Sequence, residues 1–472
     1  DTASEIVAEA QTELTQHYPA NAWVEQDPEA IWSTTVQVSK CAVEKAESLG
    51  GEIVAIGITN QRETTLIWEE ENGKPVCNAI GWQDRRTTSR CSELKHLGFE
   101  NELQEKTGLL LDPYFSATKI SWILDNVEDA KRLALSNRLA VGTIDTFLLF
   151  KFTNGNSFYT DITNASRTSL YNIYNNKWDD ILLEIYNIPI NILPEVKDNI
   201  HEFGSIEKKL CEYNIPILSM VGDQQSSSLG QFCFNAGEVK ATFGTGCFIL
   251  MNTGTNILRS KNKLLTTIAY KIDKKINYAL EGSIFNSGTA VQWLRDNLKI
   301  IKKAEDTQVL ASSIKDNNGV YFVPAFTGLG APYWKPDARG SIYGLSRSSG
   351  PAEISRAVLE SIAYQCTDLL DAIKSDGQKP RIIRADGGMT SNDWLMQFLS
   401  NISETPIEIS INKESTSYGV ALLAAIGAGL TSSLEKSSKS WKARKHYQPQ
   451  MSKNKIHKYR NDWQQAINKT II

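Results

Sequence analysis

Apolar and polar positions along the chain change period repeatedly, from helical spacing to strand runs and back, and this predicts a mixed α/β architecture. An amphipathic pattern opens at Asp27-Pro28-Glu29 and runs to about Ser48, with Asp as N-cap, Pro at the first helical position and an acid in the first turn. A buried strand follows at Ile53 to Thr59. Next comes a hairpin from Thr64 to Trp68 that turns at Asn72-Gly73 and returns through Val76 to Ile80. Helices and strands then alternate up to residue 223. After Gly230 the order partly repeats, with strands around Lys240 to Met251, at Leu264 to Tyr270 and at Tyr278 to Glu281, then a helix from Ser287 to Leu298. A strand from Arg381 to Asp386 leads through Gly387-Gly388 into a helix from Asn392 to Ser400, and a small-residue helix covers Tyr418 to Gly429. The economical reading is two α/β halves, residues 1–230 and 231–472, with a cleft between them.

Candidate chemistry sits where strands give way to turns. The apolar run Ile215 to Val221 breaks at Gly222, and Asp223 stands before the small-residue stretch Ser226-Ser227-Ser228-Leu229-Gly230. A carboxylate at the carboxyl end of a strand, where α/β proteins collect catalytic groups, can take a proton from an alcohol. Phe243-Gly244-Thr245-Gly246-Cys247-Phe248 has the form of a backbone cradle for phosphates. Base and cradle together suggest a kinase. Two further glycine turns, Gly282 to Gly288 ahead of Gln292 and Asp386-Gly387-Gly388-Met389-Thr390-Ser391-Asn392, offer free N–H groups to a nucleotide. In the polar cluster Thr59 to Thr64, Arg62 could donate and Glu63 accept hydrogen bonds to a small polar ligand, although a surface turn with a salt bridge is the simpler reading of that cluster alone. Trp82 and Tyr114 follow similar strand-to-loop transitions. Aromatic faces there could cover the carbon side of a polyol, while ordinary packing explains either residue taken singly.

With 472 residues the chain is too long for one ordinary core, and its apolar and charged fractions are those of a soluble globular protein. A net charge of −4 gives no electrostatic reason to expect nucleic acid. The tail from Lys436 to Lys458 is rich in Lys and Arg and reads as a solvated helical face. Seven scattered cysteines without a Cys-x-x-Cys pair argue for reduced thiols in the cytosol, and the five isolated histidines form no metal spacing. No apolar stretch long enough to span a membrane and no signal sequence are found, so a cytoplasmic protein is expected.

Two longer tracts make the sequence resemble the FGGY carbohydrate kinases. Tyr114 to Asn126 fits the first family signature, and Gly340-Ser341-Ile342-Tyr343-Gly344-Leu345 through Glu353, Ala357 and Glu360 fits the second. Ile56 to Thr65, Asp161 to Thr168, Tyr278 to Gly282 and Pro324 to Trp334 are similar to the members that act on glycerol. The resemblance covers nearly the whole chain. It implies two actin-like (ribonuclease H-like) ATPase domains around a central cleft, and ATP-dependent phosphorylation of glycerol to sn-glycerol 3-phosphate with Mg²⁺. It carries glycerol contacts onto Arg62, Glu63, Trp82, Tyr114, Asp223, Gln224 and Phe248, with Asp223 as base, and ATP/ADP contacts onto Thr245, Gly288, Gln292, Gly388 and Asn392. It names no metal ligand in this chain, and it implies a homo-oligomer, dimer or tetramer. Another polyol or sugar kinase of the family, or an actin-like ATP-binding scaffold without phosphotransfer, are the alternatives.

The chain departs from the family pattern in two places. It opens at Asp1-Thr2-Ala3-Ser4-Glu5-Ile6-Val7, which looks like the turn and second strand after the family's early Asp-x-Gly-Thr-type loop. That loop is missing, which reads as truncation, and the chain as given is expected to turn over ATP poorly. The segment Gly204 to Tyr213 contains acids and is poor in glycine where some bacterial relatives carry a glycine-rich loop with Arg, and it holds no His, so neither fructose 1,6-bisphosphate inhibition nor His phosphorylation is expected.

Overall fold

The computed structural model describes residues 5–206, 214–335, 337–412, 414–438 and 441–471. Residues 1–4 and 207–213, on which the two departures rest, lie outside the described residues. The chain divides into two compact units: residues 1–230 with 266–278 and 416–440, and residues 231–265 with 279–415 and 441–472.

In the first unit the helix Pro28–Ser48 starts as its cap predicts, the Asp27 carboxylate accepting the Glu29 N–H at 2.9 Å. The hairpin strands Thr65–Glu69 and Ala79–Ile80 pair with Thr65 opposite Ile80, and lie between strands Leu139–Thr143 and Glu25–Gln26 in an antiparallel sheet. In a second sheet Ile56–Asn60 runs parallel to Ile215–Gly222, Gly222 opposite Asn60, and Ile200–Ile206 completes it. Parallel pairing brings both carboxyl ends to one edge, so Arg62 and Glu63 leave one strand where Asp223 leaves the other. Ile58, Trp68, Phe147, Phe203, Ile217 and Met220 fill the core behind them.

Two segments beyond residue 230, residues 266–278 and 416–440, group with this unit. The helix Ser415–Gly427 packs against the helix Asp223–Gly230 with backbones in contact: a Cβ on Gly419 would meet the Ser226 carbonyl oxygen at 1.9 Å. Ser226 Oγ donates to Thr416 O at 2.6 Å and Ser219 Oγ to Val420 O at 2.9 Å. Only small residues allow this approach, and their partners lie some 190 residues apart in sequence.

The second unit is built on a sheet ordered Lys275–Ile284, Cys247–Gly254, Glu238–Phe243, Ile382–Asp386, Ile407–Ser410, Ala443–Tyr447; of the hairpin that opens it, Leu265–Ile272 with Lys275–Ile284, residues 266–278 group with the first unit. Glu238–Phe243, Ile382–Asp386 and Ile407–Ser410 are parallel. The helices Pro351–Ser375, Asp393–Ser403 and Lys453–Thr470 contribute Val358, Leu369, Phe398 and Trp463 to the core with Val239 and Phe243. The basic tail differs from the helical face expected of it. It holds the edge strand Ala443–Tyr447 before its helix begins at Lys453, and that helix buries Ile456, Tyr459 and Trp463. Charged residues are common on sheet edges, so Arg444, Lys445 and His446 disguise a strand as a polar helix.

Among the described residues no helix is long and apolar enough to cross a membrane, and no group of three or more His, Cys, Asp or Glu could hold a metal ion.

Candidate active site

Asp223 is the first residue of the helix Asp223–Gly230, directly after strand Ile215–Gly222. Its carboxylate lies 3.2 Å from Arg62 Nε and accepts the Gln224 backbone N–H at 2.7 Å and Gln224 Nε2 at 3.2 Å, while keeping 30 % of its side chain exposed. Arg62 is buried. Its Nη1 donates to Gln225 Oε1 at 3.0 Å and its Nε stands 3.8 Å from Glu63 Oε1. Gly222 packs against the Arg62 stem, where a Cβ would come within 2.8 Å of Cγ and Cδ.

Glu63 is also buried and adopts the left-handed backbone conformation, φ 62°. For a residue with a Cβ that conformation costs energy and persists only when its surroundings enforce it. Here the Glu63 carbonyl accepts Thr65 Oγ1 at 2.8 Å, Ser116 Oγ at 3.2 Å and Lys119 Nζ at 3.2 Å. Lys119, fully buried, also donates to Tyr114 O at 2.7 Å, and burial pushes its ammonium down to about 8 from the ordinary 10.5. The Glu63 carboxylate accepts Arg167 Nε at 2.6 Å. The Trp82 and Tyr114 rings meet edge to face at 5.7 Å, and the Arg167 guanidinium sits 5.7 Å from the Tyr114 ring. Six of the seven predicted acceptor residues thus belong to the first unit. Phe248 belongs to the second, half-buried on strand Cys247–Gly254 opposite Thr242.

The predicted nucleotide residues collect at the carboxyl ends of two adjacent parallel strands. Thr242 pairs with Asp386, so the turn at 244–246 lies beside the turn at 387–388. Gly387 has φ 92°, and a Cβ on it would stand 2.3 Å from the Phe243 carbonyl oxygen. The helix Gly288–Asp296 is clamped to the first turn: Gly288 N donates to Gly244 O at 2.9 Å, and Ser287 N and Thr289 N to Thr245 O at 3.0 and 3.2 Å. Gln292 is exposed one turn along that helix. Gly388 is exposed, with nothing within 4 Å of a Cβ built on it. Asn392 has a structural task, its Oδ1 capping the helix Asp393–Ser403 at Leu395 N, 2.9 Å, and its Nδ2 donating to Thr307 Oγ1 at 3.2 Å. Glycine turns beside a helix start form an arrangement suited to phosphate and to a flat base lying on backbone.

The family model for the N-terminal domain of the FGGY family of carbohydrate kinases matches residues 1–230, and that for the C-terminal domain matches residues 239–428. The chain belongs to the FGGY family. A glycerol kinase of Sinorhizobium fredii is 50 % identical over 100 % of this chain and 96 % of its own length. The crystal structure of Plasmodium falciparum glycerol kinase with ADP superposes with TM-score 0.93 at 39 % identity, covering 98 % of this chain and 93 % of that one. A ligand-bound xylulose kinase of Lactobacillus acidophilus shares the fold, TM-score 0.89, at 24 % identity and 99 % and 94 % coverage. The fold is the two-domain, actin-like α/β fold of these kinases.

Both FGGY signatures prove to be construction elements. The first supplies Ser116 and Lys119, which hold the Glu63 backbone. The second ends in fully buried Glu360, which accepts Arg356 Nε at 2.8 Å and Asn317 Nδ2 at 2.8 Å inside the second unit. Arg167 and Lys119 are the residues at the acceptor site that the sequence reading leaves out. Arg167 lies inside the quoted tract Asp161 to Thr168, where a lone cation among small polar residues is the available signal.

Proposed function

We propose that this FGGY kinase transfers the γ-phosphoryl group of ATP to a terminal hydroxyl of glycerol, giving sn-glycerol 3-phosphate. The observation that carries this reading is the Asp223 carboxylate, partly exposed and held 3.2 Å from buried Arg62 beside buried Glu63. A base, a donor and an acceptor on one edge suit a small polyol. Curated relatives about half identical over the whole chain, named glycerol kinases, support the same substrate.

Arg62 donates to one hydroxyl and Glu63 accepts from another, while Gln224 adds polar contact. Trp82 and Tyr114 cover the carbons. Asp223 takes the proton of the attacking hydroxyl as its oxygen bonds to the γ-phosphorus and the bond to the departing ADP oxygen breaks. Thr245, Gln292 and Gly388 present backbone and side-chain donors to the nucleotide, Gly288, whose N–H is taken by Gly244 O, offers bare backbone for it to lie against, and Asn392 keeps the adjoining helix start in place. Among the described residues no group of three or more His, Cys, Asp or Glu could hold a metal ion by itself, so Mg²⁺ would arrive on ATP, keeping phosphate oxygens and water in its shell. It neutralises phosphate charge when bound. A homo-oligomer and a cytoplasmic place of action belong to the same proposal, the first resting on the family resemblance and the second on the seven scattered cysteines without a Cys-x-x-Cys pair.

The test is ADP release by the full chain with glycerol, xylulose or gluconate as acceptor. Glycerol should exceed the sugars by about 10²-fold or more in kcat/KM, since a site built around particular hydroxyls rejects poor matches strongly. A higher value for xylulose or gluconate overturns the reading.

A further inference from the structure

Behind the strand ends that present Arg62, Glu63 and Asp223 lies a buried carboxylate that the mechanism leaves unused. Asp161 ends the short strand Tyr159–Asp161 and caps the helix Ile162–Ala165. Its Oδ2 accepts Thr163 N at 2.7 Å, Asn199 Nδ2 at 2.8 Å and the Thr163 hydroxyl; its Oδ1 accepts Asn164 Nδ2 at 2.7 Å. Each of those three side chains reaches on to a strand end. Thr163 Oγ1 accepts the Gly222 N–H at 2.9 Å, and Asn199 Nδ2 also donates to Met220 O at 2.9 Å. Asn164 and Asn60 exchange two bonds, 2.9 and 3.1 Å. Gly222 immediately precedes Asp223, and Asn60 stands two residues before Arg62.

In its ionised form a carboxylate suits this position because it only accepts, and donors surround both of its oxygens; burial and the neighbouring Asp145 push Asp161 up to about 7. The Thr163 proton is committed to Asp161, which turns the hydroxyl lone pair toward Gly222. Since Gly222 also packs against Arg62, a shift of that residue moves the base and its cationic neighbour together.

We propose that Asp161 and Thr163 are positioning residues that hold Asp223 in register with Arg62 and Glu63. The inference rests on the kinase reading above for its catalytic consequence, but not for its structural one. In T163V the shape is kept and the acceptor for Gly222 N–H is lost; in T163S the acceptor is restored. A misplacement near 1 Å can cost about 10²-fold in rate. We therefore expect T163V to lower kcat by about 10- to 100-fold with glycerol affinity, read by calorimetry, within about threefold, T163S to recover most of kcat, and the Gly222 amide to exchange hydrogen at least about tenfold faster in T163V.

A folded T163V with unchanged kcat and unchanged Gly222 exchange overturns the proposal, as does T163S behaving like T163V. If T163V does not fold, Thr163→Cys keeps the volume with a poor acceptor and should show the same two changes in smaller degree; unchanged exchange and kcat there overturn it equally. If the unmutated chain phosphorylates no glycerol while T163V still loosens Gly222, the anchoring stands and the kinase reading fails.

Discussion

In the first unit the groups offered to a ligand are charged side chains withdrawn from water, whereas in the second they are backbone groups at glycine turns left open to it. Arg62, Glu63, Arg167 and Lys119 are buried together, and each is held by a specific partner at a specific distance. Buried ions are costly to desolvate and tolerable only when paired and hydrogen-bonded, so the arrangement ties the chain to one pattern of donors and acceptors. In the turns at 244–246 and 387–388, Gly246 and Gly387 leave no room for a Cβ, which would come within 2.6 Å of the Ile284 carbonyl oxygen and 2.3 Å of the Phe243 one. Such a surface suits phosphate, which many ligands share, and would discriminate little beyond it. Under the proposed function, the contrast would give choice of acceptor to the first unit and general nucleotide affinity to the second.

The strongest way to break this contrast is at the base. Asp223→Asn should lower turnover by about 10²–10⁴-fold while calorimetry finds glycerol affinity changed only a few-fold. Near-normal turnover would remove Asp223 from the chemistry.

The next largest effect concerns the buried lysine. The folded chain holds Lys119 at about 8 against 10.5 for an ordinary lysine, so between those values the unfolded chain binds more protons and stability rises with pH. Relative to Lys119→Met, the wild type should gain on the order of 3 kcal/mol across that window in urea unfolding. A difference that stays flat with pH would show that the lysine is not depressed.

The smallest effects sharpen the glycine side. Gly387→Ala forces a Cβ to within 2.3 Å of the Phe243 carbonyl at φ 92° and should cost at least about 1–3 kcal/mol in thermal unfolding. Gly388→Ala meets nothing within 4 Å and should leave the melting temperature unchanged while weakening ADP binding by calorimetry. Equal ADP affinity in both proteins would move the nucleotide away from that turn.

What the sequence disclosed followed from locality. The Asp27-Pro28 cap, the strand leading to Gly222 and the turn at 244–246 each announce themselves within a few residues, because capping and turn chemistry act over that range. Arg167 finds Glu63 across 104 residues and Thr163 finds Gly222 across 59, and neither pairing leaves a local trace. The strand Ala443–Tyr447 stayed hidden for another reason: on a sheet edge, side-chain polarity follows exposure and not period.

The helix Ser415–Gly427 lies against the helix that begins with Asp223, yet residues 231–414 separate them in the chain. On a ribosome adding about 5–20 residues per second, the segment bearing the base would wait roughly ten to forty seconds for that support. The first unit cannot be finished from its own leading stretch, so a nascent chain stopped near residue 230 should remain an unfinished folding intermediate and a natural client for chaperones.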